Sequence, residues 1–142
     1  MFEPVNVVPG EPIARAQVMA KTVKDLLVYQ KAMAAAHALR KLVELPTFRR
    51  DLDLQGQLNR ASIRVVSDIS EGFEQKTDRH FARYLYDARG GSREIETQLA
   101  LAAKRKYITQ EDEKRVGKMY DEVARMLSGL IRRLTDDDWK ER

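Results

Sequence analysis

Catalysis would need nucleophiles, paired acids or metal ligands at workable spacing, and the chain offers few. Its histidines are His37 and His80. A di-metal centre of the ferritin kind needs a glutamate three residues before each inward-facing histidine. Those positions hold Ala34 and Thr77. His37 falls on the polar side of its helix and His80 beside the apolar face of another, so both read as surface residues. There is no cysteine, which removes thiolate nucleophiles, thiolate metal sites and disulfides together. Gly117-Lys118 is followed by Met119 and lacks the upstream glycine of a phosphate-cradling loop. No serine sits in a nucleophile-elbow motif. The expectation is therefore a non-enzymatic protein with no catalytic residue, no metal and no cofactor.

The densest polar group lies between Ser67 and Glu96, SDISEGFEQKTDRHFARYLYDARGGSREIE. Asp68, Glu71, Arg89 and Glu94 all fall close to an apolar stripe there. A catalytic constellation is one reading and a structural polar network is the plainer one. A charge beside a core position must be paired, because burying it alone is costly. Asp68 or Glu71 meeting Arg89 across two neighbouring helices would fix their register. Glu71 also falls near a helix C-terminus, where the helix dipole disfavours an acid and favours a cationic partner for it.

The second group is basic. At about 100° per residue, Lys76, Arg79, Arg83, Arg89 and Arg93 share one arc of a helix, opposite Phe81, Leu85, Ile95 and Leu99. Arg60 and Arg64 are spaced i, i+4, Lys104-Arg105-Lys106 form a run, and Arg49-Arg50 lie in a link. Asp78, Asp87 and Glu94 flank the long stripe, as on any solvated helix face. The alternative is phosphate binding by Arg60, Arg64, Lys76, Arg79, Arg83, Arg93, Lys104, Arg105 and Lys106. Such contacts hold RNA or DNA without reading its sequence. The resulting division gives Arg89 to structure and Arg79, Arg83 and Arg93 to binding. Tyr84 and Tyr86 serve either as platforms for exposed bases or as protomer contacts.

Four amphipathic helices must position these groups. Residues 1–21 hold Pro4, Pro9 and Pro12 and read as a mobile arm. Thr22 and Asp25 form a capping box for helix 1, about 23–45, whose seam is Val28, Ala32, Ala35, Leu39 and Leu42, and Pro46 stops it. Asp53 is the expected N-cap of helix 2, about 53–72, with Leu54, Leu58, Ala61 and Val65 in its seam. Asp68 takes the next strict position and Ile69 substitutes beside it. Gly72 is expected as a left-handed cap and Phe73 as a plug at the bundle end.

Helix 3, about 77–106, carries Phe81, Leu85, Ala88, Ser92, Ile95, Leu99 and Ala102. Its pattern passes through Gly90-Gly91, which together cost the helix about 2 kcal/mol relative to alanine. A kink or a close helix contact is expected there. A second capping box, Thr109 to Asp112, opens helix 4, about 109–134, with Val116, Tyr120, Val123, Leu127, Leu130 and Leu134. Residues 135–142 form an acidic tail. The last two links are short, which makes the fold all-α, an up-down-up-down antiparallel bundle.

Composition adds outer bounds. The 142 residues fit one domain. The formal charge is +4, and without the eight C-terminal residues about +6 remains, compatible with an anionic partner. No stretch is apolar enough to span a bilayer, so no membrane association is expected. The opening MFEPVNVVPGEP lacks a basic start and an apolar run. With the missing cysteines this sets the expectation of a cytoplasmic location. Leu27, Leu45, Ile63, Val66, Met119 and Met126 sit off the main seams and suggest a second apolar surface for protomer contacts.

Several pieces in order, LLVYQKA, Leu45-Pro46, SDISEGF and FARYLYDARGG with EIET, resemble the bacterial four helix bundle protein family. That family includes proteins encoded in intervening sequences of 23S ribosomal RNA genes, and the likeness runs from about Asp25 to Leu134. Where the family has asparagine, isoleucine, alanine, glutamate and glycine, this chain has Asp68, Ile69, Ser70, Glu71 and Gly72. Val66 replaces a proline, and Arg89-Gly90-Gly91 stands for arginine-glycine-serine. The resemblance implies a ring of small helical protomers, usually a pentamer, and brings no catalytic activity with it. A more distant similarity to the accessory variability protein of diversity-generating retroelements implies nucleic-acid binding. It also implies an alternative role as a scaffold for a protein partner such as a reverse transcriptase.

Overall fold

The computed structural model describes residues 20–135. Most of the expected arm and nearly all of the acidic tail lie outside those residues. Four helices form the bundle: α1 Leu27–Val43, α2 Leu52–Phe73, α3 Asp78–Lys104 and α4 Gln110–Thr135. They pack as neighbours in the order α1, α2, α3, α4 and back to α1, with α3 contacting α2 and α4 most extensively. The arrangement is antiparallel. No helix among the described residues is long and apolar enough to cross a membrane.

The apolar spacing accounts for the core. Every seam residue named above from Val28 to Leu134 is buried, apart from the acid Asp68, which is only partly so. Ile69 replaces it and is fully buried. A fully buried leucine or isoleucine stabilises by roughly 1.5–3 kcal/mol, so the eight such positions carry much of the fold's stability. Ser92 tolerates its buried place because its hydroxyl donates to the Ala88 carbonyl at 2.9 Å.

Helix boundaries depart from the sequence expectation for local reasons. The Asp25 carboxylate accepts from the amides of Lys21 and Thr22, both at 3.1 Å. It caps a single 3-10 turn, Val23–Asp25, and the extended Leu26 separates that turn from α1. α1 ends at Val43 rather than Leu45, because Leu45 precedes Pro46 and is extended at ψ 139°. The α2 cap is Asp51, not Asp53: its side chain accepts from the Leu54 amide at 3.0 Å.

α3 ends at Lys104 and turns through Lys106, whose φ is +65°. There the Tyr107 amide donates to the Ala102 carbonyl at 2.9 Å and the Lys106 amide to Ala103 at 3.0 Å. This is a Schellman closure. Thr109 caps α4 through the Asp112 amide at 3.0 Å.

Gly72 corrects a further expectation. It lies inside α2 without a left-handed conformation, and its role is close approach. A Cβ there would sit 2.7 Å from Tyr84 Cβ and 3.1 Å from Phe81 Cδ1. Phe73 does close this end of the bundle, edge-on to Phe81 at 6.2 Å. α3 runs unbroken through both central glycines. Gly91 faces Val65, whose Cγ2 would be 3.0 Å from an added Cβ, whereas Gly90 faces open space. The close helix contact therefore belongs to Gly91 alone.

Candidate nucleic-acid interface

All nine candidate basic residues are exposed, but the bundle splits them into groups with different surroundings. Arg93 is held on both sides, donating to Glu96 at 2.8 Å and across to Asp121 of α4 at 2.7 Å. Those bonds, to Asp121 first and to Glu96, push its guanidinium pKa further up and hold Asp121 below the usual carboxylate range. Its guanidinium is thus paired within the protomer, which sets its surroundings apart from those of Arg79 and Arg83.

Arg105 is likewise committed. It donates to Asp51 at 2.6 Å, and the Tyr107 hydroxyl donates to the same carboxylate oxygen at 3.2 Å. The Phe48 and Tyr107 rings meet at 5.5 Å. Arg105 thus ties the α3–α4 turn to the start of α2.

The remaining cations are spread along the bundle. Lys104 lies at the far end of α3, about 37 Å along the axis from Arg79 at 1.5 Å per residue, and Lys106 lies in the turn just beyond it, so the two ends cannot form one protomer site. Arg60 lies along α2 with its Nη1 over Gly56. Arg64 borders a groove with Asp68, Asp87, Gly90, Gly91 and Glu94, an acidic setting unsuited to phosphate. Lys76 is exposed in the link before α3.

The strongest convergence is at the N-terminal end of α3. Arg79, His80, Ala82, Arg83 and Tyr86, with Thr135 at the end of α4, line an open groove of about 590 Å³. Arg79, Arg83 and Tyr86 recur at steps of four and three, so they share one helix face. Neither arginine has an acidic partner among the described residues. Arg132, which the sequence reading did not single out, is exposed one turn before Thr135. The two tyrosines separate cleanly: Tyr84 is half-buried against Gly72, and Tyr86 is 48% exposed. The Arg89 guanidinium lies 4.9 Å from the Tyr86 ring centroid.

The expected network of Asp68, Glu71, Arg89 and Glu94 does not form as drawn. Arg89 lies on the side of α3 turned to α4 and donates to Ser128 at 3.2 Å. It has structural contacts, but neither Asp68 nor Glu71 is among its partners. Asp68 keeps one buried carboxylate oxygen without a partner among the described residues. Burial raises its pKa first of all; Asp87 and Glu71 push the same way and Arg64 opposes them. Glu71 is exposed. The polar link between α2 and α3 is instead Gln98, which donates to Glu94 at 3.0 Å and to Gln57 at 3.3 Å. Glutamines carry no obvious charge signal, which is why the sequence pattern passed over them.

The apolar surface also differs from expectation. Leu45, Val66, Met119 and Met126 pack against the core and Leu27 is half-buried, which leaves Ile63 exposed. Met33, Leu52 and Leu101 are exposed with it.

Residues 24–129 match the family model described as 23S rRNA-intervening sequence protein. The chain belongs to that family. Among solved structures it is similar to a protein of unknown function from the S23 ribosomal protein family of Bacteroides thetaiotaomicron. The two share 21% identity at a TM-score of 0.70, over 74% of this chain and 98% of that one. This likeness shows a common fold. No curated protein matches the chain. The match to the intervening-sequence family takes in α2, α3 and the links that flank α3, hence all nine candidate basic residues and Tyr86, but stops before Thr135. Among the described residues of this family member, no group of three or more His, Asp or Glu side chains could hold a metal ion.

Proposed function

We propose that this member of the 23S rRNA-intervening sequence family is a non-enzymatic, homo-oligomeric nucleic-acid-binding protein. It holds RNA or DNA through arginine–phosphate contacts, with weak or shape-based specificity. The observation that carries this reading is the pair Arg79 and Arg83. They are exposed, one turn apart, without acidic partners among the described residues, and open onto one groove with His80 and Tyr86. A guanidinium pair of this kind suits phosphate oxygens, and its contribution comes from released counterions.

One protomer offers few such cations. Assembly into a ring, proposed here as a pentamer, repeats the pair around an axis, and avidity then multiplies a weak contact. Leu52 at 67% and Ile63 at 65% exposure suit protomer contacts. A gel shift of structured RNA with the full chain at two salt concentrations tests the binding. Retarded RNA at low salt and release at high salt support it; no binding at low salt, or binding indifferent to salt, overturns it. Light scattering on the same sample gives the mass, and a monomer at micromolar concentration contradicts the ring. A co-purifying protein partner that survives nuclease would favour the scaffold role.

A further inference from the structure

We infer that the groove between the start of α3 and the end of α4 takes an unpaired nucleic-acid strand, with an unstacked base on Tyr86 and its flanking phosphates on Arg79 and Arg83. This rests on the proposed nucleic-acid binding and names the substrate class for it. Three features of the groove point the same way.

The first is the state of Tyr86. Tyr86 is 48% exposed, so part of its ring is open to a ligand. Arg89 stands at one side of the ring, 4.9 Å from its centroid, and is itself tethered by its bond to Ser128 at 3.2 Å. The ring is therefore held in place before any ligand arrives. A fixed aromatic surface stacks a base with little entropy left to lose.

The second is the line of Arg79, Arg83 and Tyr86 along one face. Side chains three and four apart stand about 5–6 Å from each other on a helix, so phosphate contacts and a base platform follow each other along a single strand. In a duplex the base faces are already occupied by their neighbours, and a tyrosine beside the backbone has nothing to stack on. Exposed bases of loops, bulges and ends are what aromatic side chains recognise.

The third is the contrast with the rest of the stripe. Arg93, two turns further along α3 from Tyr86, is closed off by Asp121 and Glu96. Of the three arginines Arg79, Arg83 and Arg93, the two without an acidic partner among the described residues are thus those beside the exposed ring. The groove, about 590 Å³, has the size of a site for one small organic group, and its Arg and His lining suits an anionic one.

The test uses the full chain and fluorescence anisotropy with three labelled probes: oligo(U) and oligo(dT), each about 15 nucleotides long, and a blunt RNA duplex of similar length. Both single strands, or the one whose sugar the groove accepts, should bind more tightly than the duplex. The two single-stranded arms tell RNA from DNA. Tyr86→Ala should weaken single-strand binding about tenfold and leave duplex binding unchanged, while Tyr86→Phe retains most of the affinity. Thermal melting and light scattering of each variant accompany the titrations. Equal or tighter binding of the duplex overturns the inference, as does single-strand affinity unchanged in Tyr86→Ala. A change of oligomeric mass in that variant also overturns it, by showing the ring to be a protomer contact. Duplex binding with no effect at Tyr86 leaves the general proposal standing, whereas no binding of any probe at low salt removes both.

Discussion

Arg89 and Tyr86 are stacked on α3, cation over ring at 4.9 Å, and the same guanidinium reaches α4 through Ser128 at 3.2 Å. One side chain thus joins two helices and orients the exposed aromatic group of the groove. Replacing Arg89 with alanine should cost about 1 kcal/mol from the lost ring contact and hydrogen bond. Lysine should recover only part of this, since its ammonium lacks the planar face and the fixed fork of donors. Urea melts of the wild type and the two variants check the order.

Gly72, Gly90 and Gly91, where α2 and α3 pack, should respond differently to alanine. Gly72→Ala places a Cβ 2.7 Å from Tyr84 Cβ, an overpacking that should cost about 1–3 kcal/mol. Gly90→Ala meets nothing within 4 Å and should gain about 1 kcal/mol of helix propensity. Gly91→Ala sets the same gain against Val65 at 3.0 Å and should fall between the two. Denaturation midpoints give the ranking, and a destabilised Gly90→Ala would contradict the open space seen beside it.

Asp68 should make the protein less stable at neutral pH than a neutral side chain would. Its folded pKa lies above the ordinary value, mainly through burial and also through Asp87 and Glu71. The folded state therefore binds the proton more tightly than the unfolded chain. Stability falls as pH rises from the unfolded value through the folded one, and the deficit then stays constant. Asp68→Asn should accordingly be more stable than the wild type at pH 7, with the gap closing below about pH 4. Melts at the two pH values check this; a gap that ignores pH would point to packing instead.

Asp51 has the opposite sign. The Leu54 amide has the largest effect and lowers its pKa; burial comes next and opposes it, and Arg105 and Tyr107 add to the lowering, so the value stays below the ordinary one. Its contribution is present above the unfolded pKa and is lost as pH falls through the folded one. Asp51→Ala should lower the melting temperature at pH 7, with the deficit fading in acid. Arg105→Ala should show a smaller loss, because the α2 cap survives. A binding defect in an Arg105 variant must therefore be read against its melting curve.

The seams were legible because a four-three apolar period has one interpretation over four long segments, and every helix appears where that period runs. The ends were less so. Asp51 and Asp53 are both acids at the start of α2, and only the backbone geometry makes Asp51 the cap and leaves Asp53 in the first turn. Gly72 has the composition of a cap, yet its reason lies on another helix, at Tyr84. The polar pairs were the hardest to read. A wheel drawn for α3 alone puts Arg79, Arg83, Arg89 and Arg93 in one stripe. Their differences come from Asp121 and Ser128, which lie 28 and 39 residues away in sequence. Rotation of each helix about its axis, set by packing, decides which charge meets which.

The most direct test of the central claim is the salt dependence of binding for the wild type and for Arg79→Glu/Arg83→Glu, using a single-stranded probe. Each phosphate contact contributes about 0.7 to the slope of log K against log salt for single strands. The double variant should therefore bind more weakly at low salt, remain folded, and lose about 1.4 from the slope per protomer engaged. An unchanged affinity and slope in a folded double variant would contradict the account.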